Sequence, residues 1–384
     1  MYLGQYMTLT SLPPGESTAP GHLATQYAQK PQCHPDKIRT GLDPTGDFTP
    51  YYQEREGRDG IGNIKAAVFT FHGHGDVTPL HGVPPMIQVG LFDRLPATTP
   101  KFGIFGEFGH ENPSSNSYGI RPDIRRGDFL SMEIAWFDHW LKGLDSGVAT
   151  WGTAQVQGTD GRWRITDDWP RGTGGPTREL ALGAGTLGAP AAQATGMSKY
   201  VEGFYETTSG FAPRTSATFD TGALSAPLEL TGQATLDLWV KLKAPDSHLA
   251  ARLDAFDAAG NAIPVGSTYA LRSAQHRDPF VDGRFVQAQG SPAPVGTPFK
   301  TTLRFQPTDI VVPAGGHLRL TLAGSVIVNS GLAQLGIPEP LFLGPSQASG
   351  VVAPVTILHD AAHRSVLRFE TVAPGATYIR PIAR

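Results

Sequence analysis

The spacing of apolar positions changes along the chain, and the changes divide it. Residues 1 to about 60 are rich in Pro, Gly and Gln with little periodicity, which predicts loops and short helices. From Ile64 the texture differs. "IKAAVFTFHGHGD" is an apolar run that ends in glycines and Asp76, the pattern of a buried strand followed by a loop. "PPMIQVGLFDRL" reads as a helix, and "KFGIFGEFGHENP" as a second short strand that ends in a loop carrying His110. In "GDFLSMEIAWFDHWLKGLDSG", Phe129, Leu130, Ile134, Phe137, Trp140 and Leu141 recur along one side at helical spacing, with Asp128 as N-cap and Gly143 as C-terminal stop. That spacing predicts a helix whose aromatic side packs into a core.

Strand, helix, strand, helix is the rhythm of an α/β domain with a mainly parallel sheet, whose ligands bind beyond the carboxyl ends of the strands. Asp76 and His110 both fall there. After "GRWRITDDWP" comes "RGTGGPTRELALGAGTLGAPAAQATG", dominated by Gly, Ala, Pro and Thr, which predicts a domain boundary. Beyond it, "ATLDLWVKLKA", "LAARLDAFDAAGN", "FKTTLRFQP", "HLRLTLAGSVIV" and "RSVLRFETV" alternate with period two between turn residues, which predicts a β-sandwich of jelly-roll type.

Composition narrows the partners. A net charge of -3 with 17% charged residues, and no Lys/Arg-rich block, argues against nucleic acid. The 46 glycines and 33 prolines exclude an all-helical fold. The single cysteine, Cys33, permits no internal disulfide and no cysteine metal cluster. No run approaches the ~18 to 20 apolar residues of a membrane span, and "MYLGQYMTLTSLPPG" lacks the basic start and apolar centre of a signal peptide. Compartment is unassigned on these grounds, and self-association as a homo-oligomer stays open.

A Ser-acid-His triad on an α/β sheet runs in that chain order: the carboxylate orients the imidazole, and the imidazole takes the serine proton. Asp76 and then His110, each after its own strand with one helix between, have the order of the last two members. On spacing alone, each also reads as a turn residue with a surface side chain. His72, His74 and His81 near Asp76, and Glu111 beside His110, invite a metal reading. No HExxH or comparable helical ligand pair accompanies them, so neither metal nor cofactor is expected.

The stretches "GDFTPYYQEREGRDGIGNIKAAVFTFHGHGD", "KFGIFGEFGHENP", "IAWFDHWLKGLDSG", "VQGTDGRWRITDDWP", "STYALRSAQHRDP", "PAGGHLRLTLAGS" and "VTILHDAAHRSVLRF" resemble, in this order, the X-prolyl dipeptidyl-peptidase and cocaine esterase group of serine hydrolases, which includes α-amino-acid ester hydrolases. "WFDHWLKG" followed by "GRWRITDDWP" is the most specific part. The resemblance implies a partial α/β-hydrolase domain followed by a jelly-roll β-sandwich: 1–60 a remnant of cap and hydrolase loops, 61–170 the C-terminal part of the hydrolase domain, 171–195 a linker and 196–384 the jelly roll. It implies Asp76 as triad acid, His110 as triad base, and a peptide or acyl ester as substrate.

The chain departs from that group at the nucleophile. Gly-x-Ser-x-Gly is absent. The nearest forms are "GESTA" at Ser17, hemmed in by Pro13, Pro14 and Pro20, and "GPSQA" at Ser346, within the sandwich. Ser117 in "NSYG" follows His110, in the wrong order. The serine is therefore expected upstream of Met1 and the chain as given to be inactive. The alternatives are a jelly-roll binding or assembly module without catalysis, or one half of a split hydrolase.

Overall fold

The computed structural model describes residues 54, 58–74, 92–108, 112–114, 126–167, 169–170, 175–189, 196–202, 204–207, 210–213, 215–266, 268–274, 277, 290–324, 326–328, 341–343 and 353–379. In chain order the first elements are β1 (Val68–Gly73), β2 (Lys101–Gly106), helix α1 (Phe129–Lys142), β3 (Ala154–Gln157) and β4 (Trp163–Thr166). There follow β5 (Thr177–Leu182), β6 (Leu187–Gly188), β7 (Met197–Val201), β8 (Phe204–Thr207), β9 (Gly210–Pro213), β10 (Ser216–Asp220), β11 (Leu228–Leu242), β12 (His248–Phe256), β13 (Ala262–Ile263) and β14 (Tyr269–Ser273). The last are β15 (Phe299–Arg304), β16 (Thr308–Val312), β17 (His317–Ala323), β18 (Val326–Val328), β19 (Leu341–Leu343), β20 (Pro354–Leu358), β21 (Val366–Thr371) and β22 (Tyr378–Ile379). Of the helix expected in "PPMIQVGLFDRL", residues 92–94 are helical and most of the rest lies outside the described residues.

The first sheet runs β1-β2-β3-β4-β22. β1 and β2 are parallel, from Val68 opposite Lys101 to Gly73 opposite Gly106, and β2 and β3 are parallel as well. Parallel neighbours need a crossover connection, and α1 supplies it between β2 and β3. Alternation along β2 divides its side chains: Phe102 and Ile104 join Phe129, Met132, Trp136 and Trp163 on the helix side, while Phe105 joins Phe92, Ala154, Val156 and Trp169 on the other.

The helix forms where its spacing predicts, but a different stripe is buried. Phe129, Met132 and Trp136 face the sheet, and Trp136 stacks on Phe69 at 5.7 Å between ring centroids. Leu130, Ile134, Phe137, Trp140 and Leu141, expected in the core with Phe129, are exposed by 41–77%. The helix carries two apolar stripes, and the aromatic bed of Phe69 and Phe102 takes the first. Asp128 sits at the N-cap without capping the helix; its carboxylate instead accepts Nε of Arg126 at 2.6 Å. Gly143 ends the helix as expected, in a left-handed conformation with φ of 68°.

The outward stripe makes a separable expectation. Ile134→Lys with Leu141→Glu should change unfolding free energy by no more than about 0.5 kcal/mol, as for surface positions away from special features. A loss of several kcal/mol in urea unfolding would contradict the exposure of this stripe.

The second layer pair is a sandwich. One sheet runs β10-β17-β12-β13, with β14 beside β12; the other runs β6-β5-β21-β11-β20-β7, with β15 and β16 also on β11. Period two sets its core: Leu236, Leu238, Val240 and Leu242 of β11 face Leu249, Ala251 and Leu253 of β12 and Leu318, Leu320 and Leu322 of β17. β11 is long enough to serve two partners along one edge because it is kinked. Gly232 has φ of 73°, and the register with β21 shifts between Thr231 and Thr235, so β16 pairs before the kink and β15 after it.

Two details differ from the domain limits expected above. Within 171–195, β5 and β6 are strands of the sandwich, β5 pairing with β21, rather than linker. Near the chain's end, β22 returns to the first sheet and pairs with β4.

Candidate functional site

The carboxyl ends of β1 and β2 lie side by side, and the ladder continues one residue past the strands, where His74 N–H donates to the Gly106 carbonyl at 2.6 Å. Glu107 follows immediately on β2. His74 Nδ1 lies 3.1 Å from Glu107 Oε1, and the Gly266 N–H of the sandwich donates to Oε2 at 2.9 Å. The Glu107 N–H donates to the side chain of Gln157, the last residue of β3, at 3.2 Å. His74 and Glu107 are fully buried. A buried carboxyl is tolerated when its oxygens have partners, and both oxygens of this one do.

His74 also packs on Trp169, 6.0 Å between ring centroids. Gly266 could be no other residue without movement: an added Cβ would lie 2.4 Å from the carbonyl carbon of His74 and 2.5 Å from its Cβ. The sandwich thus meets the rim of the first sheet by backbone-to-backbone packing.

A second polar contact crosses the same boundary. Arg164 of β4 donates through Nη2 to Asp309 Oδ2 at 2.8 Å and to Thr231 Oγ1 at 2.6 Å, all buried. Burial holds the Asp309 carboxyl above its ordinary value, outweighing the opposing pull of Arg164, Thr231 and His74. Thr159 adds backbone bonding to β16, its N–H donating to the Asp309 carbonyl and its Oγ1 accepting from Val311 N–H at 2.9 Å.

Of the residues singled out by sequence, Asp76, His110, His81, Glu111, Ser17, Ser117 and Ser346 lie outside the described residues. His72 and His74 are described and buried, and His74 is committed to Glu107. Among the described residues no group of three His, Cys, Asp or Glu side chains could hold a metal, and no helix is long and apolar enough to cross a membrane. Sequence reasoning missed Glu107, Gly266, Arg164 and Asp309. Glu107 alone had a local signal, a carboxylate directly after an apolar strand and three residues before His110.

Residues 147–368, more than half of the chain, match the family model described as the X-Pro dipeptidyl-peptidase C-terminal non-catalytic domain. A putative Xaa-Pro dipeptidyl-peptidase of Streptomyces avermitilis is 24% identical over 335 residues, covering 73% of this chain and 46% of the relative. One of Bacillus anthracis is 24% identical over 144 residues, covering 37% of this chain and 22% of the relative. The chain thus spans less than half the length of these relatives. Among solved structures, a CocE/NonD family hydrolase from Staphylococcus aureus is similar with a TM-score of 0.66 at 16% identity, covering 91% of this chain and 61% of that one. An α-amino acid ester hydrolase is similar with a TM-score of 0.66 at 14% identity, covering 90% and 62%. At such identities the likeness is one of fold. By the match over residues 147–368, the chain belongs to the family of X-Pro dipeptidyl-peptidase C-terminal non-catalytic domains.

Proposed function

We propose that this chain is the acid- and base-bearing C-terminal part of a serine hydrolase that cleaves acyl esters or amides, including dipeptides from peptides with proline second. Residues 61–170, joined by β22, would be the C-terminal part of an α/β-hydrolase domain, and the strands from β5 to β21 its jelly roll. The observation that carries this reading is the parallel, in-register pairing of β1 and β2. It starts the loops toward Asp76 and His110 from adjacent strand ends, where ligands bind in such sheets.

In the reaction, Asp76 orients the His110 imidazole and stabilises its protonated form. His110 takes the proton from a serine hydroxyl as the serine oxygen bonds to the substrate carbonyl carbon, and delivers that proton to the leaving alcohol or amine. Water then bonds to the acyl carbon as His110 takes its proton, and His110 returns that proton to the serine oxygen as the acyl–oxygen bond breaks. The serine is supplied from outside these residues.

Two features favour an incomplete α/β layer. Among the described residues β1 has a neighbour on one side only, and the outward stripe of α1 is apolar. An open parallel edge beside an exposed apolar helix face is where further strands and a helix of such a layer would pack. The same features suit a preceding segment of one polypeptide and the other half of a split enzyme.

The test is hydrolysis of aminoacyl-prolyl anilides and phenyl esters by the chain alone. Turnover should be negligible, because a triad without its nucleophile retains only residual rate. Turnover that His110→Ala abolishes would overturn the proposal that the nucleophile lies elsewhere.

A further inference from the structure

Glu107 joins three parts of the molecule that are far apart in sequence. One carboxylate oxygen faces Nδ1 of His74 at the exit of β1, the other accepts the N–H of Gly266 between β13 and β14, and the residue itself is the exit of β2. Gly266 is pressed on His74 so closely that no side chain fits between them. Each bond is to a buried group, so water does not compete for it. This is a fixed joint at the point where both candidate catalytic loops begin.

Chain geometry makes the joint consequential. Asp76 is two residues beyond His74, and His110 is three beyond Glu107. At a maximum of about 3.6 Å per residue, their Cα atoms stay within about 7 Å and about 11 Å of those anchors. Both residues therefore branch from this one joint, and catalytic geometry is sensitive to displacements of about 1 Å.

We propose that Glu107 and Gly266 are positioning residues for the Asp76–His110 pair, so that the sandwich, through Gly266, sets the relation between the triad acid and base. The inference rests on the reading of that pair given above. It gives the sandwich a part in the hydrolytic site that a non-catalytic domain would not have. One oxygen of Glu107 accepts the Gly266 N–H while the other faces His74 Nδ1, whereas a glutamine side chain in its place would put an NH₂ group at one of these two positions.

The experiment is NMR of this chain with ¹⁵N-labelled histidine, reading the low-field imidazole N–H resonance of His110 donated to Asp76, assigned by its loss in His110→Ala. Asp76→Asn should abolish or move that resonance. Glu107→Gln, which keeps size and shape, should also broaden or move it, and Gly266→Ala should do the same, while Leu238→Val in the distant sandwich core should leave it in place. If Asp76→Asn acts and both Glu107→Gln and Gly266→Ala leave the resonance unchanged in folded protein, the positioning role is wrong and the acid–base pair stands. If Asp76→Asn has no effect on His110, the pair itself is wrong and the positioning role falls with it.

Discussion

Replacing Arg164 by methionine is expected to lower the stability of the chain by about 3–5 kcal/mol, the cost typical of breaking a buried ion pair by removing one partner. Asp309 would keep Thr231 but lose the guanidinium that donates at 2.8 Å, in a site closed to water. The loss carries a pH signature whose sign is fixed. Burial already raises the Asp309 carboxyl above its ordinary value of 3.8 in the folded chain. A raised carboxyl contributes stability that is fully present below 3.8 and is lost as pH rises through the folded value. Without Arg164 the folded value rises further, so the deficit of Arg164→Met against the parent chain should be larger at pH 7 than at pH 4. Urea unfolding at the two pH values measures it. Adding Asp309→Asn should restore part of the loss at pH 7, because the buried charge is then gone. A deficit below 1 kcal/mol and independent of pH would mean that the pair is not closed to solvent.

Trp136→Ala is expected to cost about 3–5 kcal/mol, as for large aromatic truncations in cores. Trp136 fills the contact between α1 and the first sheet, stacked on Phe69 and 6.4 Å from Phe102 between ring centroids. Alanine there leaves a cavity against strands held by their own ladders, so the helix should loosen before the sheet does. Limited proteolysis should accordingly gain a cut within 126–147 while the sandwich stays intact. Ile134 lies two residues away on the exposed stripe, and its replacement by lysine should be nearly silent. Equal effects at the two positions would contradict the orientation of the helix.

That helix also marks the limit of what the sequence reveals. Its ends were legible, because Gly143 favours the left-handed conformation and the apolar spacing is helical. Its buried face was not. Two apolar stripes compete on one helix, and only the aromatic bed at Phe69 and Phe102 decides between them. The sandwich strands were legible for the opposite reason: alternation in β11 or β12 fixes each side chain's face without reference to a partner. β5 was hidden because "TRELAL" does not alternate, three polar residues being followed by three apolar ones among Gly, Ala and Thr, and its pairing partner β21 comes near the chain's end. For the site, the strands β1 and β2 that precede Asp76 and His110 were legible as short apolar runs. The bond between Glu107 and Gly266 spans 159 residues, and nothing local to either signals it.

The central claim is that Asp76 and His110 serve a serine that these 384 residues do not contain. The most direct measurement is to sequence the DNA that precedes the codon for Met1 and translate it in all frames. The account predicts an apolar strand followed by Gly-x-Ser-Tyr-x-Gly, in frame or in a neighbouring reading frame, with the strands that would complete the sheet at β1. An unrelated gene or a bare promoter there would contradict it, and would leave the jelly roll as the part whose binding partner needs to be found.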